Sequence, residues 1–242
     1  MLCRQCRHDF FLENLFTKTI FVRGIFGAHA HPLLHNPVVF RFAFSSPCII
    51  VSHAAGYNEP MDMIAEARDY FDRVGKALLG IELHQVWKAM ELLGRQGDAG
   101  NIVWVVGNGG SAATAAHFAN DLIKMARLRA VALTEMVPVI TAYGNDDGWG
   151  QMFAHPLKVL MGPGDVLVAI SCSGKSENVL ACARRVAMDR LIVLTGPSTA
   201  ENELIRLPCY AKLCVASDDI RVVEDGHSAI CHALAGMLRG EK

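Results

Sequence analysis

The chain has 242 residues, 52% of them hydrophobic and 19% charged, with a formal net charge of −1. That apolar content is enough for a real core and excludes a disordered protein. Near-neutral charge argues against a nucleic-acid binder that works by phosphate neutralisation, and the length fits one domain or a domain with an appendage.

Two compositions share the chain. Residues 1–60 hold 8 of the 11 Phe and 5 of the 10 His, with a net charge of +2, whereas residues 61–242 carry −3. Pro32, Pro37, Pro47 and Pro60 fall in a stretch without clear periodicity. Residues 1–60 read as an irregular extension, a leader or sequence translated from a misplaced start. Cys3-x-x-Cys6 has the spacing of half a zinc knuckle, but no second pair follows at a zinc-finger distance. Most of the other cysteines lie in apolar segments, as buried free thiols do, which points to a reduced, cytoplasmic protein. No apolar run approaches the ~18 residues of a membrane span, so none is expected.

From Met61 the pattern is helical. Ile64, Ala67, Phe71, Val74 and Leu78 recur at helical spacing, as do Leu83, Val86, Met90 and Leu93. The two helices break near Gly80 and end between Gly94 and Gly100. Strand and helix then alternate. Strands are predicted at Ile102–Val106, Ala130–Leu133, Val166–Ile170, Leu191–Leu194 and Ala211–Val215. Helices are predicted at Ser111–Arg127, Val137–Tyr143, Gln151–Met161, Ser176–Met188 and Arg221–Leu238. This order implies an α/β fold, a parallel sheet covered by helices on both faces. The domain is drawn as 61–242, with helices over 61–98 and the α/β core over 101–242.

Two strand-to-helix turns stand out: Gly107-Asn108-Gly109-Gly110-Ser111 and Ser171-Cys172-Ser173-Gly174-Lys175-Ser176. Such a turn presents backbone N–H groups at the positive end of a helix, which suits an anion. Glycine allows close approach and serine hydroxyls add donors. Gly107-x-Gly109, with Glu135 after the next strand, is also half of a dinucleotide fingerprint, but Ala112 occupies the third glycine position. The Ser-rich second turn favours a phosphate monoester over both a dinucleotide and a plain loop.

His117 and Asp121 are four residues apart on one helix face; Glu224 and His232, with Ser228 between them, share a face of the last helix. Two imidazoles and two carboxylates suit an acid/base pair, a metal site, or both; surface pairing is the bland alternative. His227 reads as packing.

These residues, taken with His117-Phe118-Ala119, Asn145-Asp146 and Glu224-Asp225-x-His227-x4-His232, resemble the sugar isomerase (SIS) domains, and among them the phosphoheptose isomerases. The resemblance covers about residues 61–242. It implies a flavodoxin-like three-layer sandwich with a five-stranded parallel sheet, and a homotetramer with active sites between subunits. It implies phosphate binding at Ser171, Cys172, Ser173 and Ser176, with Ser111 nearby. Sugar hydroxyls would meet Asn108, Gly109, Gly110, Asn145 and Asp146. A divalent metal, zinc by preference, would sit at His117, Asp121, Glu224 and His232. The chain carries Asp121 where the phosphoheptose isomerases have Glu, and Glu224 where they have Gln. The activity implied is ketose–aldose isomerisation of sedoheptulose 7-phosphate through an enediol. Asp121 or Glu224 would act as base and His232 as acid partner. The alternative is a non-catalytic SIS protein that binds phosphosugars or regulates, as the initiator DnaA-binding members do. Partners are then a phosphorylated sugar and further copies of the chain, with neither nucleic acid nor membrane.

Overall fold

The computed structural model describes residues 60–239. The expectations for residues 1–59, the Cys3/Cys6 pair included, lie outside the described residues.

Two helices come first, α1 (Pro60–Leu79) and α2 (Leu83–Asp98). α2 turns Val86, Ala89, Leu92 and Leu93 inward at the three-and-four spacing of one helix face. α1 carries the same periodicity, yet Ile64 and Phe71 remain 56% and 69% exposed and only Ala77 is buried. Among the described residues its apolar stripe is mostly exposed.

The alternating part contains β1 (Ile102–Val106), α3 (Gly110–Lys124), β2 (Arg129–Ala132), α4 (Val137–Asp146), α5 (Ala154–Leu160), β3 (Val166–Ser171), α6 (Glu177–Ala183), β4 (Leu191–Thr195), β5 (Ala211–Cys214) and α7 (Ile220–Met237). The strands form one parallel sheet in the order β2-β1-β3-β4-β5. Most strand residues are buried, as strands covered on both faces must be. One core layer joins α2, α3 and α7 to the sheet through residues such as Leu92, Phe118, Leu122 and Leu234. The other packs Phe153, Leu157, Val179 and Leu180 against the opposite face. This is the flavodoxin-like sandwich.

A buried carboxylate fixes the central register. Asp165, just before β3, accepts hydrogen bonds from the Ile102 N–H at 2.8 Å, the Trp104 indole at 2.9 Å and the Gly162 N–H at 2.8 Å. Burial alone would raise its pKa. These three bonds outweigh that and hold it below the usual carboxylate range.

Several helices differ from expectation, α4 running on to Asp146 among them. The segment 151–161 is a 3-10 turn at Trp149–Gln151 followed by α5, in which Pro156 falls in the first turn, where no N–H is required. α6 stops at Ala183 rather than Met188, and Met188–Arg190 forms a separate 3-10 turn that leads into β4. α3 ends at Lys124, shortly before Arg127 takes a left-handed φ of 62°.

The strand order reverses between β1 and β3, which pair directly, Val106 opposite Ala169. Open α/β sheets bind ligands at such a switch point, beyond the carboxyl ends of the strands. Both Gly/Ser turns start there.

Candidate active site at the sheet switch point

The turn after β1 runs from Gly107 into the start of α3. Gly109 has φ 54° and ψ −122°, a conformation closed to L side chains. Gly110 is glycine for lack of space: a Cβ there would meet Glu224 Oε1 at 2.4 Å. The Glu224 carboxylate of α7 therefore lies against the N-terminus of α3, where the helix dipole favours a negative charge. Asn108 and the buried Asn178 of α6 exchange two amide hydrogen bonds, at 2.8 and 2.9 Å, and tie the first turn to the helix that follows the second.

The turn after β3 is held by its own side chains. Ser171 Oγ lies 3.2 Å from Ser176 Oγ and accepts from the Gly174 N–H at 3.2 Å; the Lys175 N–H donates to Ser173 Oγ at 3.3 Å. Gly174 has φ 65° and packs on the Asn202 side chain. Asn202 is 1% exposed and braces the turn from below, donating to Thr195 Oγ1 and to the carbonyls of Gly196 and Pro197. The Lys175 ammonium pairs with Glu201. Hydroxyls and N–H groups are thus the donors at this turn.

Cys172 links the two turns. Its sulfur is 3.7 Å from Ser111 Oγ. Burial pushes the thiol pKa up; the Ser111 contact lowers it in part, and the nearby Glu224 charge raises it further. Glu224 is therefore felt by both turns at once.

His117, Asp121 and His232 converge across α3 and α7, their donor atoms all within 4.8 Å of one another. Asp121 Oδ2 is 3.5 Å from His117 Nε2 and 3.8 Å from His232 Nε2. The two rings meet edge to face at 4.9 Å. Asp121 is buried, and Asn120 Nδ2 donates to its other oxygen at 3.2 Å. The imidazoles are open to solvent. Two His and one carboxylate, exposed on one side, make a donor set that suits zinc with a free position. Glu224, grouped with these three on the sequence, is outside this 4.8 Å group and lies against Gly110.

Of the remaining sequence candidates, Asn108, Gly109, Gly110, Ser111, Ser171, Cys172, Ser173 and Ser176 all lie on the two turns. Asn145 and Asp146 are exposed at the end of α4 and hydrogen-bond to each other at 2.8 Å; among the described residues, no hydrogen bond joins them to the turns. Asn178 and Asn202 escaped the sequence reading. A lone Asn in the apolar run Val179–Ala183 and its flank was the available sign of Asn178; Asn202 sits in a loop and gave none.

Residues 69–196 match the SIS domain profile. A phosphoheptose isomerase from Geotalea uraniireducens is 36% identical over 186 residues, 74% of this chain and 96% of the relative. Among solved structures, the phosphoheptose isomerase of Neisseria gonorrhoeae superposes with a TM-score of 0.67 at 30% identity, covering 74% of this chain and 99% of that one. That of Francisella tularensis gives 0.66 at 29% identity, covering 75% and 98%. The fold, the switch-point turns and these likenesses together place the chain in the SIS domain family, among the phosphoheptose isomerases.

Proposed function

We propose that this protein isomerises sedoheptulose 7-phosphate, a ketose, to an aldose heptose 7-phosphate through an enediol. The observation that carries the reading is the position of Glu224, a carboxylate against Gly110 of one anion-ready turn and close enough to Cys172 of the other to raise its thiol. A base at the junction of two such turns suits a substrate gripped by its phosphate and altered at its other end.

The phosphate would rest on the hydroxyls of Ser171, Ser173 and Ser176 and the N–H groups of Ser173 and Ser176, with Ser111 at the edge. Binding energy there, remote from the reacting carbons, holds the sugar for the chemistry. Asn108, Gly109 and Gly110 would meet the sugar hydroxyls, and Asn145 and Asp146 are proposed for the same role. Glu224 takes the proton from C1 while the C2 carbonyl oxygen is protonated, which gives the enediol. The proton then returns to C2 as O1 gives up its own and C1 becomes the carbonyl. His232 is the acid partner that moves the oxygen-bound proton. No atom is gained or lost.

His117, Asp121 and His232 fit a divalent cation by their donor types and mutual spacing, with zinc the first choice. Such an ion supplies Lewis acidity toward a sugar oxygen. With the ion bound, Asp121 and His232 would both be ligands and Glu224 alone would remain free to move a proton; without it, His232 serves as the acid partner. The resemblance also suggests a homotetramer, and the uncovered apolar stripe of α1 supports a further subunit there. No helix of the described residues is long and apolar enough to cross a membrane; a cytoplasmic location agrees with the free cysteines of that region.

The test is to supply purified protein with zinc and sedoheptulose 7-phosphate and to follow aldose formation. Turnover is expected. Binding of the sugar phosphate without turnover would favour a non-catalytic phosphosugar sensor instead.

A further inference from the structure

His227 is a buried titratable group that the proton-transfer scheme leaves unused. It is 1% exposed and lies on α7 about one turn beyond Glu224. Burial pushes its pKa down to about 4, against a weaker upward pull from the Thr195 carbonyl, so the ring is neutral near pH 7. A neutral imidazole has one N–H and one bare nitrogen. Nδ1 faces the Cys172 sulfur at 3.9 Å, and Nε2 is buried without a hydrogen-bond partner. The Cys172 sulfur faces Ser111 Oγ at 3.7 Å. A continuous chain, His227–Cys172–Ser111, thus runs from the core to the first turn.

Its polarity follows from the unpaired atom. Buried N–H groups are seldom left orphaned, whereas acceptors are more often under-satisfied. In the tautomer with the hydrogen on Nδ1, the ring donates to the Cys172 sulfur. The thiol then donates to Ser111 Oγ. Ser111 has accepted its hydrogen bond, and its own hydroxyl hydrogen is free to point outward. A hydroxyl set as a donor is what an anion requires.

We propose that His227 is a positioning residue: through Cys172 it orients the Ser111 hydroxyl so that its hydrogen faces the substrate phosphate. This rests on the phosphate reading of the two turns.

The test is a double-mutant cycle on the full zinc-supplied chain. The probe is a heptitol 7-phosphate, which lacks the carbonyl and cannot isomerise, with its affinity read by calorimetry. Ser111→Ala and His227→Phe should each weaken binding about tenfold, the usual size of a hydrogen bond to a charged group. The double variant should bind no more weakly than Ser111→Ala alone, because both act through one hydroxyl. His227→Gln, which keeps an N–H, should recover most of the affinity. Losses that multiply in the double variant, or unchanged affinity in either folded single variant, would overturn the proposal. If His227→Phe does not fold, Cys172→Ala with Ser111→Ala forms the cycle, and the same non-additivity is required. Wild-type turnover is scored separately: its absence would sink the isomerase reading without touching this result.

Discussion

A methyl group at Gly110 would meet the Glu224 carboxylate at 2.4 Å, and the atom it meets is the end of a flexible side chain. Gly110→Ala should therefore fold normally while pushing the base aside. A shift of about 1 Å at a reacting group costs ~10²-fold in rate, so kcat should fall by that order with KM little changed. Steady-state kinetics with a thermal melt check both halves. Ser173 and Ser176 make a separate prediction: replaced together by Ala, they should weaken phosphosugar binding tenfold or more, and unchanged affinity would remove the phosphate from that turn. His117→Ala should lower the bound zinc measured by atomic absorption while leaving the fold intact. At this scale the turns were legible in the sequence because glycine and serine between an apolar strand and a helix have a direct physical use. The proximity of Glu224 to Gly110 was not. Periodicity assigns residues to a helix face but does not say which part of a neighbouring helix that face meets.

Among the elements, α7 does most to assemble the site, for it brings Glu224 against Gly110, His227 against Cys172 and His232 against Asp121. Its burial has a pH signature. The folded-state pKa of His227, about 4, lies below the ordinary 6.5, so the unfolded chain takes up the proton first as pH falls. The stability that neutral His227 permits is complete above about 6.5 and is lost progressively towards 4. Denaturant titrations across that window should show the decline, and His227→Phe should flatten it. Asp165 anchors β3 to β1 through three donors, and Asp165→Ala should cost about 3 kcal/mol by leaving them unpaired. The strands were legible almost to the residue, since buried β-branched runs flanked by glycine and polar turns have few other readings. The helix ends were not. α6 stops early to leave chain for the approach to β4, and the 151–161 segment divides ahead of Pro156. Such adjustments answer to distances across the fold that local propensity does not contain.

The proposed function asks the molecule to bind an anion without being basic. Residues 61–242 carry a net charge of −3, so attraction for a phosphate must come from local N–H groups and hydroxyls at the switch point, and binding should depend only weakly on ionic strength compared with a site built on lysines. The same scale governs assembly. Phe71 at 69% and Leu83 at 76% exposure leave large side chains in water, beyond what scattered surface residues account for. Sedimentation should find a tetramer, and Phe71→Asp should shift it to smaller species. The sequence displayed this stripe as a helical period but showed nothing of its being left uncovered, because a period reports that a face will be buried and not which chain buries it. The central claim is proton transfer on a phosphoheptose, and NMR of sedoheptulose 7-phosphate incubated in D2O with the zinc-supplied protein tests it most directly. The account predicts an aldose resonance that grows to equilibrium, with solvent deuterium at C2. A sugar phosphate that binds and stays a ketose, with no deuterium at C1, would contradict it.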